Sequence, residues 1–168
     1  MRYRNQINNI LILCILVFGC EPTVDSDGFT YLGKCNYNGE FRVDGLYIGE
    51  FPYQSEYFPI AYYWEDGTTI SMSVSKDKIN KLGSFECFPL NKLTYDNIAS
   101  WGAYIIDGNE IKKQQFYNRN GTYKVSNSTI SIISKTELKV ITSIGDIIYY
   151  KFHPCTNKPD SANKTWNY

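Results

Sequence analysis

The chain has 168 residues, 17 basic and 17 acidic, and 15 tyrosines among its aromatics. With no Lys/Arg cluster beyond Lys112-Lys113, this balance excludes a strongly basic nucleic-acid surface, and no nucleic-acid partner is expected. There is no Cys-x-x-Cys and no Cys/His cluster, so zinc has no ligand set, and neither metal nor cofactor is expected.

The first segment carries Arg2 and Arg4, then an apolar run from Ile10 to Phe18, with no acid before Glu21. A basic start, a short apolar stretch and small residues at its end are the marks of a secretory signal. The run is about half of the ~20 residues a membrane-crossing helix needs. Its boundary, Val17-Phe18-Gly19-Cys20, resembles the lipobox of bacterial lipoproteins. That resemblance implies removal of residues 1–19. It also implies lipidation of Cys20 by thioether-linked diacylglycerol and an amide-linked acyl chain such as palmitate. Each buried methylene contributes about 0.8 kcal/mol, so several chains anchor firmly where one holds marginally. The expected address is the bacterial cell envelope, lipid-anchored at the outer membrane on its periplasmic or surface face. After cleavage 149 residues remain, enough for a single domain, with fifteen basic residues against 17 acidic ones.

Residues 20–34 follow as the lipidated cysteine and a polar, Gly/Pro-punctuated tether, with a reach of roughly 45 Å at ~3.3 Å per residue. A single domain is expected over 35–168. It opens into short alternating segments. "IAYYWEDGTTISMSV" carries Asp66-Gly67, a strong hairpin signal, between two strand-like runs. A two-residue turn there would set Tyr63 opposite Ile70 and Ala61 opposite Met72, all inward, with Tyr62 and Trp64 outward. Ser71 and Ser73 would then meet water. Residues 75–100 break the rhythm, with a strand expected around Ser84 to Phe88 and a helical turn or lid around Asn91 to Ser100.

"GAYIIDGNEI" and "GTYKVSNSTI" share the pattern Gly-x-Tyr-x-(Ile/Val)-x4-Ile. Each reads as a hairpin, turning at Asp107-Gly108 and at Ser126-Asn127. One face would hold Tyr104, Ile106 and Ile111, then Tyr123, Val125 and Ile130. The last hairpin, "TELKVITSIGDIIYYKF", turns near Ser143 to Asp146, with Tyr150 and Phe152 inward around Lys151. Eight to ten short antiparallel strands in a nearly helix-free chain favour an all-β, up-and-down meander closing into a barrel, because closure removes the edges.

"YYWEDGTTI", the Gly-x-Tyr-x-Ile hairpins and the closing "YYKFHP…KPDSANKTW" resemble lipocalin-like lipoproteins of the Bacteroidetes over roughly residues 40 to 165. The resemblance implies a lipocalin-like β-barrel. Lipocalins carry Gly-x-Trp on the first strand; Gly45-Leu46-Tyr47 stands there, with tyrosine in the tryptophan position. Lys151 is a candidate for the basic residue that packs against it. In such a barrel the first and last strands pair, which places Cys35 and Cys155 at one end. A disulfide between them would close a loop of about 120 residues, worth on the order of 4–5 kcal/mol in the chain-entropy model. Cys35–Cys87 and Cys87–Cys155 stay open. "DSA" at Asp160 to Ala162 resembles a short O-glycosylation signal of Bacteroidetes exported proteins.

Few residues suggest catalysis. His153, the single histidine, precedes a proline. Cys87 lies in apolar company that raises a thiol pKa. Glu65 and Asp66 sit in a turn. No enzymatic activity is expected. The tyrosines carry more. Inward-facing Tyr63, Tyr104, Tyr123 and Tyr150, with Met72, would line a lumen for a small apolar or amphipathic ligand, since buried phenol hydroxyls need partners. The competing arrangement sets these tyrosines at barrel rims with hydroxyls in solvent. The second functional expectation is a filled barrel, an interaction module whose outer aromatics Tyr62 and Trp64 meet an envelope protein or a glycan. In either case the chain is expected to act as a monomer.

Overall fold

A computed structural model describes residues 30–31, 33–90, 98–120 and 122–161. The signal segment, Cys20 and the tether through residue 29 lie outside the described residues, as do 91–97 and 162–168.

Eight strands follow in chain order: β1 Gly45–Glu50, β2 Tyr57–Tyr63, β3 Thr68–Ser75, β4 Trp101–Asp107, β5 Glu110–Arg119, β6 Thr122–Ser134, β7 Glu137–Ile141 and β8 Ile147–Pro154. Each pairs antiparallel with the next, and β8 returns to β1 from Gly45↔Pro154 to Glu50↔Tyr149, closing the barrel. Closure leaves no unpaired edge, which is why a chain this poor in helix can be stable as one sheet. The strand directions define two ends. Turns 64–68, 107–110 and 134–137 lie at one, with the segments that precede β1 and follow β8. Connections 50–57, 119–122 and 141–147 lie at the other, where the segment after β3 also begins.

The turns set the register, and two differ from expectation. The β2–β3 reversal is a three-residue loop, with Trp64 N donating to Thr68 O and Gly67 N to Trp64 O. Asp66 Oδ1 accepts from both N and Oγ1 of Thr68, and Gly67 has φ +84°. This is the type I turn with a left-handed residue that three-residue hairpins use. The extra residue shifts the pairing by one, to Tyr62↔Ile70, Ala61↔Ser71 and Ile60↔Met72. Because side chains alternate with period 2, Ile70, Met72 and Val74 go to Tyr62's face while Ser71 and Ser73 face inward with Ala61 and Tyr63.

The second difference lies in β6. Ser126 and Asn127 are no turn; they lie inside an unbroken 13-residue strand. The chain reverses earlier, next to Asn120 at φ 55°. Tyr123 and Val125 therefore share the outer face with Phe116, while Ile130 points inward. The reversals near Gly108 and from Thr142 to Asp146 stand where the sequence places them.

Buried residues form two clusters. One gathers Phe41, Tyr47, Ala61, Tyr63, Tyr104, Ile106, Ile111, Ile130 and Leu138, joined by Tyr150 and Phe152. It is the barrel interior: the rings of Tyr63 and Tyr104 meet at 5.4 Å although β2 and β4 are not neighbours, and only a concave wall permits that. The other cluster lies outside, where Leu46, Ile60, Tyr62, Trp64, Ile70, Val74 and Trp101 are covered by the segment after β3. That segment starts with one helical turn, α1 Lys76–Ile79, and continues irregularly through Leu90. No strand forms over 84–88. Phe88 O accepts from Tyr62 OH, and Phe85 O from Thr156, so these backbone groups serve the outer wall and the tail instead of a ladder. Tyr62 and Trp64 do point outward, yet they are buried under this cover and present no docking surface.

The disulfide joins Cys87 to Cys155, with Cα atoms 5.0 Å apart, and Cys35 is free. The expected Cys35–Cys155 bond does not form because the two cysteines belong to different cores. Cys35 packs against the interior cluster and Cys155 sits in the outer one. The bond fixes the cover to the end of β8.

Candidate functional site in the open half of the barrel

The barrel's two halves are filled differently. At the end where the chain enters, the segment before β1 turns inward and inserts Phe41, which is 1% exposed. Its ring meets Tyr37 at 5.5 Å, Tyr63 at 5.2 Å and Tyr104 at 5.9 Å, mostly edge to face, the arrangement aromatic quadrupoles favour. Tyr104 OH donates to Trp64 O at 2.7 Å, Tyr47 OH to Lys135 O at 3.1 Å and Tyr37 OH to Phe41 O at 2.6 Å. Burial drives the Tyr63, Tyr104 and Tyr47 hydroxyls well above the ordinary phenol range, so all three stay neutral. Outside this plug, Lys158 Nζ donates to Val43 O and Tyr63 O, and Trp64 Nε1 donates to Pro159 O at 2.9 Å. This half is closed by the protein's own residues.

The other half is lined mostly by smaller groups. Register places Ser71 and Ser73 of β3, Gly102 of β4, Lys113 and Gln115 of β5, and Ser126 and Ser128 of β6 on the inner face, with the exposed pair Tyr117 and Lys124 beyond them. Ser73, Ser126 and Ser128 are exposed although they face inward, and Ser71 and Gln115 are half-buried, so solvent reaches the inner face toward this end. Val140, Ile148 and Tyr150 of β7 and β8 supply an apolar wall, with the Tyr150 hydroxyl pushed up to about 12 by burial. Beneath the mouth lies Lys113, 7% exposed, its Nζ donating to Ser71 Oγ at 2.7 Å. Desolvation pulls its ammonium down to about 8.

Of the residues expected to line a lumen, Tyr63 and Tyr104 are part of the plug and Tyr150 borders the open half. Met72 is on the outer wall among residues under the cover, and Tyr123 is on the outer face of β6. Lys151 stands opposite Ile48, exposed on the outer face, and does not pack on Tyr47; the cation nearest that ring system is Arg42, 4.2 Å above Phe152. Ser161 of the "DSA" triplet is buried. His153 faces outward opposite Leu46, its Nε2 buried without a hydrogen-bond partner among the described residues. No group of three potential metal ligands occurs among the described residues.

Lys113 carries the site's charge and was legible only as half of a Lys112-Lys113 doublet. Period 2 puts one of any adjacent pair on each face of a strand. Lys112 points out to Glu110, and Lys113 therefore points in.

Among the described residues, clefts also lie outside the barrel. One of about 700 Å³ runs between the β1–β2 connection and α1, bordered by Gln54, Tyr57 and Asp77. Another, about 610 Å³, lies on the outer wall of β1 and β8, bordered by Phe51, Ile147 and Tyr149. Beside it Ile141, Ile144, Ile147 and Tyr149 are exposed, Ile144 by 81%.

No family model matches the chain, and the curated proteins and the solved structures return no match.

Proposed function

We propose that this chain is a lipid-anchored envelope lipoprotein, non-enzymatic and lipocalin-like, that binds a small amphipathic ligand in the open half of its barrel. The observation that carries this reading is the unequal filling of the interior. Large aromatics with satisfied hydroxyls close one half, while serines that face inward yet stay exposed line the other. A core built only for stability is filled most effectively with Leu, Ile and Val, and small polar inward residues leave room instead. An apolar wall facing polar groups across that room is the composition of a ligand pocket.

The test is native mass spectrometry of the full chain, made in its own host and released from nanodiscs. Retained mass that is lost on denaturation, and lost when Ser71 and Ser128 are both replaced by Leu to fill the open half, supports the reading. A chain that emerges bare and stays bare after exposure to host lipid extract overturns it. The same spectra read the lipid on Cys20 as added mass on the N-terminal residue, and an unmodified Cys20 would overturn the anchor.

The exposed Ile141, Ile144, Ile147 and Tyr149 favour a second reading, in which an envelope protein docks on the outer wall of β7 and β8. Ile144→Asp would abolish such docking and leave ligand retention unchanged.

A further inference from the structure

Lys113 is the described lysine enclosed within the barrel, with its cross-strand neighbours Tyr104 and Ser128 and its hydrogen-bond partner Ser71 on the same inner face; Lys124 shares that face of β6 by register but is exposed toward its end. An ammonium carries three N–H donors, and Ser71 Oγ takes one. No carboxylate lies within ion-pair reach among the described residues, whose ion pairs are Arg42–Asp44 and Lys112–Glu110. The enclosed phenols Tyr47, Tyr63, Tyr104 and Tyr150 of this interior are neutral. A buried cation without a counter-charge is costly, and folds keep one where something else supplies the charge.

We infer that Lys113 anchors the carboxylate of an amphipathic ligand, with Ser71 and Ser128 beside the headgroup and Val140, Ile148 and Tyr150 against its apolar body. This rests on the ligand-binding reading and names its ligand class. The one enclosed lysine balances a single negative charge; a phosphate dianion would leave a second charge uncompensated at that depth, because Lys124 is exposed to water farther toward the end of the strand. The wall across from Lys113 is apolar, so a carboxylic acid with a hydrocarbon body satisfies both sides, whereas a small hydrophilic acid satisfies one.

The probes are [1-13C]octanoate and 1-octanol, which share the chain and differ in the charge. Binding is measured on the full chain in nanodiscs, with empty nanodiscs as the blank, for the wild type and Lys113→Met. The wild type is expected to hold octanoate at least ten-fold more tightly than octanol. Lys113→Met is expected to bring octanoate down to the octanol level and leave octanol unchanged. Lys113→Gln, which keeps a polar group and removes the charge, serves the same purpose if the Met variant does not fold. Equal binding of both probes, or octanoate binding that neither variant weakens, overturns the role of Lys113 and leaves the ligand reading standing. Binding of neither probe overturns the carboxylate assignment, and only a bare chain after lipid extract overturns the ligand reading with it.

Discussion

The Phe41 and Tyr63 rings meet edge to face at 5.2 Å and 86°, inside a barrel to which Phe41 contributes no strand. The segment before β1 is thus part of the core. Phe41→Ala should cost about 3–5 kcal/mol, the range for removing a buried phenylalanine. Urea unfolding should show the loss as a lower midpoint with an unchanged slope. A loss below about 1 kcal/mol would mean that the plug is an adornment of a barrel stable without it.

The cysteine pairing gives a second prediction. Cys87 and Cys155 are 68 residues apart, and cross-linking a loop of that length stabilises by about 4 kcal/mol in the chain-entropy model. Peptide mapping without reduction should recover Cys87 joined to Cys155, with Cys35 alkylated in the folded or unfolded chain. Cys87→Ser should lower stability by about that amount, whereas Cys35→Ser should change it little. Recovery of a Cys35–Cys155 peptide would refute the separation of the two cores.

Gly67 offers a sharper local test. Its φ of +84° suits glycine, and a Cβ there would come within 2.4 Å of Cys35 Cβ. Gly67→Ala should destabilise by more than the ~1 kcal/mol typical of a left-handed position alone. Combining it with Cys35→Gly, which removes the opposing Cβ, should restore part of the loss. A double mutant no more stable than Gly67→Ala would place the whole cost in the backbone.

Stability should depend on pH in an uncommon direction. Lys113 and Lys158 are both pulled down to about 8 by burial, against about 10.4 in an unfolded chain. Between these values the unfolded chain binds more protons, so stability rises with pH across that window. Above about pH 10 tyrosines of the unfolded chain ionise while the buried Tyr47, Tyr63 and Tyr104 do not, so stability then falls. Guanidinium midpoints taken at intervals from pH 7 to 11, on Cys35→Ser to prevent thiol exchange, should peak at about pH 9–10. In Lys113→Met the rise should shrink and the pH 7 stability should increase. A flat profile from 7 to 10 would mean that neither lysine is desolvated.

Much of the architecture was legible along the chain because it depends on local chemistry. Alternation in β3 and the turn residues at Gly108 and from Thr142 to Asp146 follow from steric and hydrogen-bonding preferences within a few residues. The inward placement of Tyr150 and Phe152 follows from their alternation with Lys151. A meander of hairpins closes because an open one would leave edges. In β3 the failure was one of a single residue. Glu65-Asp66-Gly67 forms a three-residue loop in place of a two-residue turn, and that single step sent Met72 out and Ser71 in. Polar Ser71 and Ser73 looked like a solvent face; the segment after β3 covers the opposite face, so the apolar stripe of β3 is buried outside the barrel.

The sequence by itself determined that this is an all-β meander and that several of its reversals fall where glycine and aspartate permit them. Only the tertiary structure decided which cysteines meet, which tyrosines are plug and which border a space, and that Lys113 is enclosed. These depend on which side of a two-faced strand becomes concave and on what distant segment covers the other. A period of two reports alternation faithfully, but it carries no sign to say which face is inside.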